Sequence, residues 1–286
     1  MNGRWRWPAR IFTLLYLSLL IVIPVGSVFY RAFQHGFAVA WDAVTTPEAL
    51  HALLLTLVVV LIAVPCDAVF GVGVALILAR HRFPGAWLLD AFVDIPLALS
   101  PVVVGLALVL VYGRTGWFGN WLAAHDIQII FSVPGIVMAS AAVALPYVVR
   151  AVLPVLLEIG TEQEEAARTL GAGAVATFRR ITLPSIRRSL AYGVTLTTAR
   201  VLGEFGGVAI VSGAIVGKTE TFTLFINDSF ANLDPTGAYA GAVILALLAL
   251  GVLLIVGGDR QRKERQWPSP STESPNDMEP RLPSMT

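Results

Sequence analysis

Six apolar stretches, at about 11–30, 53–79, 88–111, 129–153, 188–212 and 237–257, constrain this chain more than any other feature. A helix needs about 20 apolar residues to cross a bilayer core about 30 Å thick, and each stretch meets that length. Charged residues make up only 14% of the 286 positions, against about 25% in soluble domains, so lipid is the expected solvent. The expected fold is an all-α membrane protein with six spanning helices. Pro65, Cys66 and Asp67 interrupt the second stretch, and Pro96, Pro101, Pro134 and Pro146 fall in the third and fourth. Such breaks survive in a membrane only where neighbouring helices or a wet cavity satisfy the freed backbone groups. A packed bundle with an interior path is therefore expected, rather than six independent anchors. The single cysteine, Cys66, leaves no internal disulfide to staple it.

Basic residues mark the cytoplasmic flanks of membrane spans. With an inside N terminus, every one of the 20 Lys and Arg residues falls on an inner segment except Arg31, Arg114 and Lys218 outside and Arg200 within a span. Both termini and the loop at about 154–187 are thus expected in the cytoplasm. The first apolar run lacks a small-residue cleavage site and is closed by Tyr30 and Arg31, which reads as a retained helix. Residues beyond Trp267 are rich in proline and serine without apolar periodicity, the composition of a disordered tail. With a net charge of +1 distributed in this way, no nucleic-acid partner is expected.

The densest charge lies in that cytoplasmic loop, EEAARTLGAGAVATFRRITLP at 164–184. Thr161 with Glu164 three residues on has the form of a capping box, and Gly171 stands where a left-handed helix cap belongs. A short helix, a glycine turn and a second helical run from about Val175 to Pro184 are expected. The spacing Glu165-Ala166-Ala167, Gly171, Ile181, Leu183-Pro184 resembles the EAA signature of bacterial ABC importer permeases. In that family the loop is a coupling helix that docks on the ATPase subunit. The residue types suit docking, since two alanines keep one face thin, Gly171 permits a tight turn, and Glu165 can pair with a basic group on a partner.

Two further motifs concern phosphate and charge. GAIVGKT at 213–219 has three residues between Gly213 and Gly217, whereas a phosphate-binding loop needs four, so no nucleotide site is expected here. In ARVLGEFGG at 199–207, Arg200 lies about 18 Å along a helix from Arg188 at 1.5 Å per residue, near the bilayer midplane. Glu204 follows at i+4, on the same helical face. An ionisable residue at that depth costs about 2.5–3.5 kcal/mol on insertion scales and faces the bundle interior. Two readings fit these residues. One is a mutually neutralising pair that fixes packing, with Asp67 as a candidate third member. The other is a translocation path or gate formed by Arg200, Gly203, Glu204, Phe205 and Gly206. Asp94, at the start of the third stretch, reads as interfacial. The histidines His35, His51, His81 and His125 lack ligand spacing, so no metal site is expected.

VDIPLALSPVVVGL at 93–106, IQIIFSVPGIVM at 127–138 and ARVLGEFGGVAIVSGAIVGKTETFTLFI at 199–226 resemble the W-type permease subunits of bacterial sulfate/thiosulfate ABC importers. These are binding-protein-dependent transport system inner membrane components. The resemblance implies a six-helix type I importer half in the cell inner membrane, without a catalytic site or cofactor of its own. ATP and Mg would be used by partner ATPases. The implied partners are a second, T-type permease, two ATPase subunits and an extracytoplasmic sulfate-binding protein, all around the lipid bilayer. The implied division is a cytoplasmic N terminus at 1–10, a first transmembrane helix and outer loop at 11–50, a permease domain at 51–257 with its coupling region at 160–185, and a disordered cytoplasmic tail at 258–286. Molybdate or tungstate import is the nearest alternative, and an ion-coupled secondary transporter is the alternative of another class.

Overall fold

The computed structural model describes residues 6–264, and those residues form helices joined by short loops, without a strand among them. The order is α1 (Arg6–Leu17), α2 (Ile23–Phe33), α3 (Phe37–Val44), α4 (Pro47–Arg80), α5 (Ala86–Ala98), α6 (Pro101–Tyr112), α7 (Gly119–Ala124) and α8 (Val133–Ile159). Then come α9 (Glu162–Thr169), α10 (Ala174–Thr177), α11 (Leu183–Leu202), α12 (Gly206–Ser212), α13 (Phe222–Ala231) and α14 (Pro235–Glu264). The tail expected to be disordered lies outside the described residues beyond Glu264, and α14 runs past the boundary expected at 257.

Four segments are long and apolar enough to cross a membrane: Arg10–Phe33, Pro47–Arg80, Val133–Ile159 and Pro235–Leu254. Two bent pairs bring the number to six if each is one span. The third expected span is not straight: α5 and α6 meet at 114°. Pro101 is the cause, because proline bars the residue before it from helical geometry, and Ser100 accordingly sits at φ −61, ψ 138. The fifth is also broken, by 56° between α11 and α12.

Proline leaves a second mark. Wide π-helical turns occur at Ser18–Val22 and Phe178–Thr182, each ending two residues before a proline, Pro24 and Pro184. In each the next N–H reaches five residues back, Ile23 to Ser18 and Leu183 to Phe178. A ring without an N–H crowds the carbonyl one turn behind it, and a widened turn relieves that contact while keeping the helix continuous.

The core is built by α4, α8 and α11. Apolar residues of α4 and α8, Leu55, Val59, Ala63, Ile136 and Ala139, meet Val201 of α11 and Val208 of α12 in one buried cluster. A second cluster joins Val72, Val148, Val152, Leu156 and Ile186. Backbones approach closely at Val148: a Cβ added to Gly71 would lie 2.8 Å from the Val148 Cβ, and one on Gly193 would lie 3.1 Å from its Cα. Small residues at helix crossings are the usual device where lipid supplies no hydrophobic drive between helices. By contrast the first segment, Arg10–Phe33, has none of its most apolar window buried and presents its apolar side chains outward.

Candidate functional site

At one end of the bundle, α9 closes in a glycine turn. Gly171 adopts φ +86; its N–H bonds to the Arg168 carbonyl at 3.0 Å and the Ala172 N–H to the Ala167 carbonyl at 3.0 Å. That pair of bonds is the Schellman arrangement, which needs a left-handed residue that only glycine adopts without a steric penalty. The expected capping box does not form. Thr161 has φ −109, ψ −8 and caps no N–H; its hydroxyl donates to Glu165 Oε1 at 2.6 Å.

Glu164 is turned inward instead and is buried. Its carboxylate accepts from Arg80 Nε at 3.1 Å and Nη2 at 3.2 Å, and from the Thr182 hydroxyl at 2.8 Å. A two-pronged, charge-assisted contact with a guanidinium is stronger than one bond to an exposed N–H, which is why the box gives way. Burial alone would push the Glu164 carboxyl up, but the bonds from Arg80 and Thr182 and the fields of Arg80 and Arg168 hold it below its ordinary value.

The motif residues separate into a tip and a base. Glu165, Ala166 and Gly171 are exposed and Ala167 is half-buried, while Ile181 and Leu183 are half-buried and Pro184 is exposed at the start of α11. Beside the turn, Leu170 is 89% exposed and Val175 72% exposed. Neither stood out in the sequence, where an isolated apolar residue in a loop carries no signal.

The second candidate region is the break at 203–205. Arg200 Nη1 and Glu204 Oε2 form an ion pair at 2.5 Å. Glu204 does not lie on the helical face expected for it: α11 ends at Leu202, and Glu204 Oε1 accepts the Gly207 N–H at 2.8 Å inside the first turn of α12. Its chemistry explains the move, since a carboxylate is favourable at a helix N-terminus with free N–H groups. The Glu204 carbonyl accepts the Thr223 hydroxyl at 2.8 Å, tying the break to α13. Gly206 packs against α6, where an added Cβ would sit 3.2 Å from Pro101 Cβ. Gly203 and Phe205 are exposed along an open groove of about 640 Å³, lined also by Ala199, Thr223, Asn227 and Tyr239.

Asp67 is not a third member of this pair. It is buried in α4, and its Oδ2 has no hydrogen-bond partner. Asp94, expected to be interfacial, pairs with Arg150 at 2.6 Å, as does Asp90 at 2.7 Å, joining α5 to α8.

The phosphate-loop lookalike follows α12 and is a self-bonded turn. Thr219 Oγ1 donates to the Ser212 carbonyl at 2.7 Å and accepts the Ile215 N–H at 3.2 Å, while the N–H groups of Lys218, Thr219 and Glu220 all point to the Ile215 carbonyl. Beyond it Glu220 is buried. Burial first, and then the carboxylates of Asp228 and Glu48, push its pKa up to about 6.

Residues 71–260 match the family described as binding-protein-dependent transport system inner membrane component. The chain is 50% identical over 242 residues to the sulfate transport system permease protein CysW of a Synechocystis strain, covering 85% of this chain and 88% of that protein. It is 40% identical over 243 residues to the sulfate transport system permease protein CysT of Salmonella typhimurium, covering 85% and 87%. In fold it is similar to a chain of a bacterial ABC transporter involved in the import of the acidic polysaccharide alginate. The TM-score is 0.72 at 18% identity, with 90% of this chain and 96% of that chain covered.

Proposed function

Because this chain belongs to the family of binding-protein-dependent transport system inner membrane components, we propose that it is the W-type permease subunit of a sulfate/thiosulfate ABC importer. One observation carries the coupling role: the Glu165-Ala166-Ala167 helix ends in an exposed Gly171 turn with Leu170 and Val175 bare beside it. This is a docking tip on a chain whose own Gly-Lys loop has the N–H groups of Ala214, Ile215, Lys218 and Thr219 engaged internally. The basic residues flanking the spans support a cytoplasmic position for that tip.

In this reading two ATPase subunits hydrolyse ATP with Mg, and their closure pushes on α9. The push biases the bundle between two global states, the logic by which ligands at separate sites become coupled. The break at 203–205 is the moving part of the path. A second, T-type permease faces the groove beside it, and a sulfate-binding protein delivers cargo to the outer segment at 213–234. The choice of sulfate rests on the relatives named above. It also suits a path in which Arg200 is neutralised by Glu204, since a conduit must pass an oxyanion on without holding it.

Purified with its ATPase and second permease, the chain is expected to support hydrolysis stimulated by a binding protein loaded with sulfate or thiosulfate. Stimulation by molybdate alone would keep the fold and overturn the substrate. Failure to bind any ATPase would remove the coupling role.

A further inference from the structure

Helices on a bundle surface are normally held by an apolar stripe, and α9 has none: Glu164 is its only buried residue. Its one buried side chain is held chiefly by a guanidinium. Arg80, the last residue of α4, donates Nη1 to the Leu156 carbonyl of α8 at 2.8 Å and forks onto both Glu164 oxygens at 3.1 and 3.2 Å. Leu156 belongs to the last turn of α8, whose carbonyls have no partner within the helix. Thr182, where the π turn meets α11, donates to the same carboxylate at 2.8 Å. The ends of α4, α8 and α11 and the first turn of α9 therefore meet at Arg80 and Glu164, with side chains only 12% and 9% exposed.

The geometry points to Arg80 as a positioning residue for coupling: it clamps α9 to the ends of the core helices, so that a push on α9 moves α4 and α8. Without the clamp, the turns at 160–161 and 170–173 would absorb the push. A shielded, forked ion pair is a stiff joint because breaking it leaves an uncompensated buried charge. Lysine cannot replace it, since a point charge on a flexible stem cannot hold both carboxylate oxygens and the Leu156 carbonyl at once. Neither Arg80 nor Glu164 belongs to the Glu-Ala-Ala signature, so the clamp lies behind the docking tip.

This inference rests on the reading that α9 docks on an ATPase, and the test separates the two. Hydrogen exchange on the detergent-purified chain needs no partner: in Arg80→Gln the α9 amides should exchange on the order of tenfold faster, while those of α8 keep their wild-type rates. In the reconstituted transporter the same variant should still co-purify with the ATPase but take up several-fold less sulfate per ATP hydrolysed, with Arg80→Lys falling between. Faster exchange in α8 as well as α9 would make Arg80 a residue of the fold and overturn the inference. Unchanged uptake per ATP would overturn it too, whatever the exchange shows. A wild-type chain that binds no ATPase would instead overturn the docking reading, and the coupling role with it.

Discussion

Gly171 and Glu220 show how a single residue can be bound by backbone or by charge. At φ +86, a side chain at 171 would meet its own carbonyl, a penalty of roughly 1–2 kcal/mol for non-glycine residues. Gly171→Val is therefore expected to break the Schellman turn and uncouple hydrolysis from uptake without unfolding the bundle; undiminished uptake by the variant would count against this. Glu220 carries a pH dependence. Its folded pKa of about 6 lies above the ordinary 4.5, so the folded state binds the proton more tightly than the unfolded one. The resulting stabilisation is fully present below about pH 4.5 and lost as pH rises through 6. It amounts to about 2 kcal/mol at 1.36 kcal/mol per pKa unit. Melting curves between pH 4.5 and 7 should show this slope in the wild type and lose it in Glu220→Gln. Equal slopes in the two would mean that Glu220 is not the group responsible. Gly171 was legible from its place after a short helix. Glu220 was not, because its shift comes first from burial by the packed elements and then from the fields of Asp228 and Glu48, which reach it from α13 and α4.

At the scale of elements, prolines decide where helices widen and where they bend. Pro24 and Pro184 each follow a π turn, and Pro101 stands at the corner between α5 and α6. All three were visible as residues, but a proline in an apolar run allows either a bulge or a corner, and only the packing of neighbours selects one. The crossing of α4, α8 and α11 at Val148 sets a second limit. Gly71→Leu would drive a side chain into Val148, whose Cβ lies 2.8 Å from where the new Cβ would sit. Overpacking of this kind costs typically 1–3 kcal/mol. A lowered Tm for Gly71→Leu, against an unchanged one for the open position Gly73→Leu, is the expected result, and equal melting of the two would refute the crossing.

For the whole molecule, the groove beside the break is an open, mainly apolar cavity of about 640 Å³. Ala246 of α14 lies exposed on its wall. An arginine there leaves the monomer's own packing untouched but puts a charge where a second permease would sit. Ala246→Arg should lose co-purification with the T-type subunit and keep its own melting temperature, and a variant that still assembles would free the groove from that role. From the sequence alone came the lipid environment, the apolar spans and the glycine turn at Gly171, because each is written in local composition or in spacings of a few residues. The Arg200–Glu204 pair was legible from its i+4 spacing, but only tertiary structure decided which charges meet over longer separations. Arg80 reaches Glu164 across 84 residues and Arg150 reaches Asp94 across 56, distances over which periodicity carries no information. It also moved Glu204 off its helix to the Gly207 N–H and left Asp67 Oδ2 without a hydrogen-bond partner, because which polar groups lie within reach of a buried carboxylate is settled only when the helices pack.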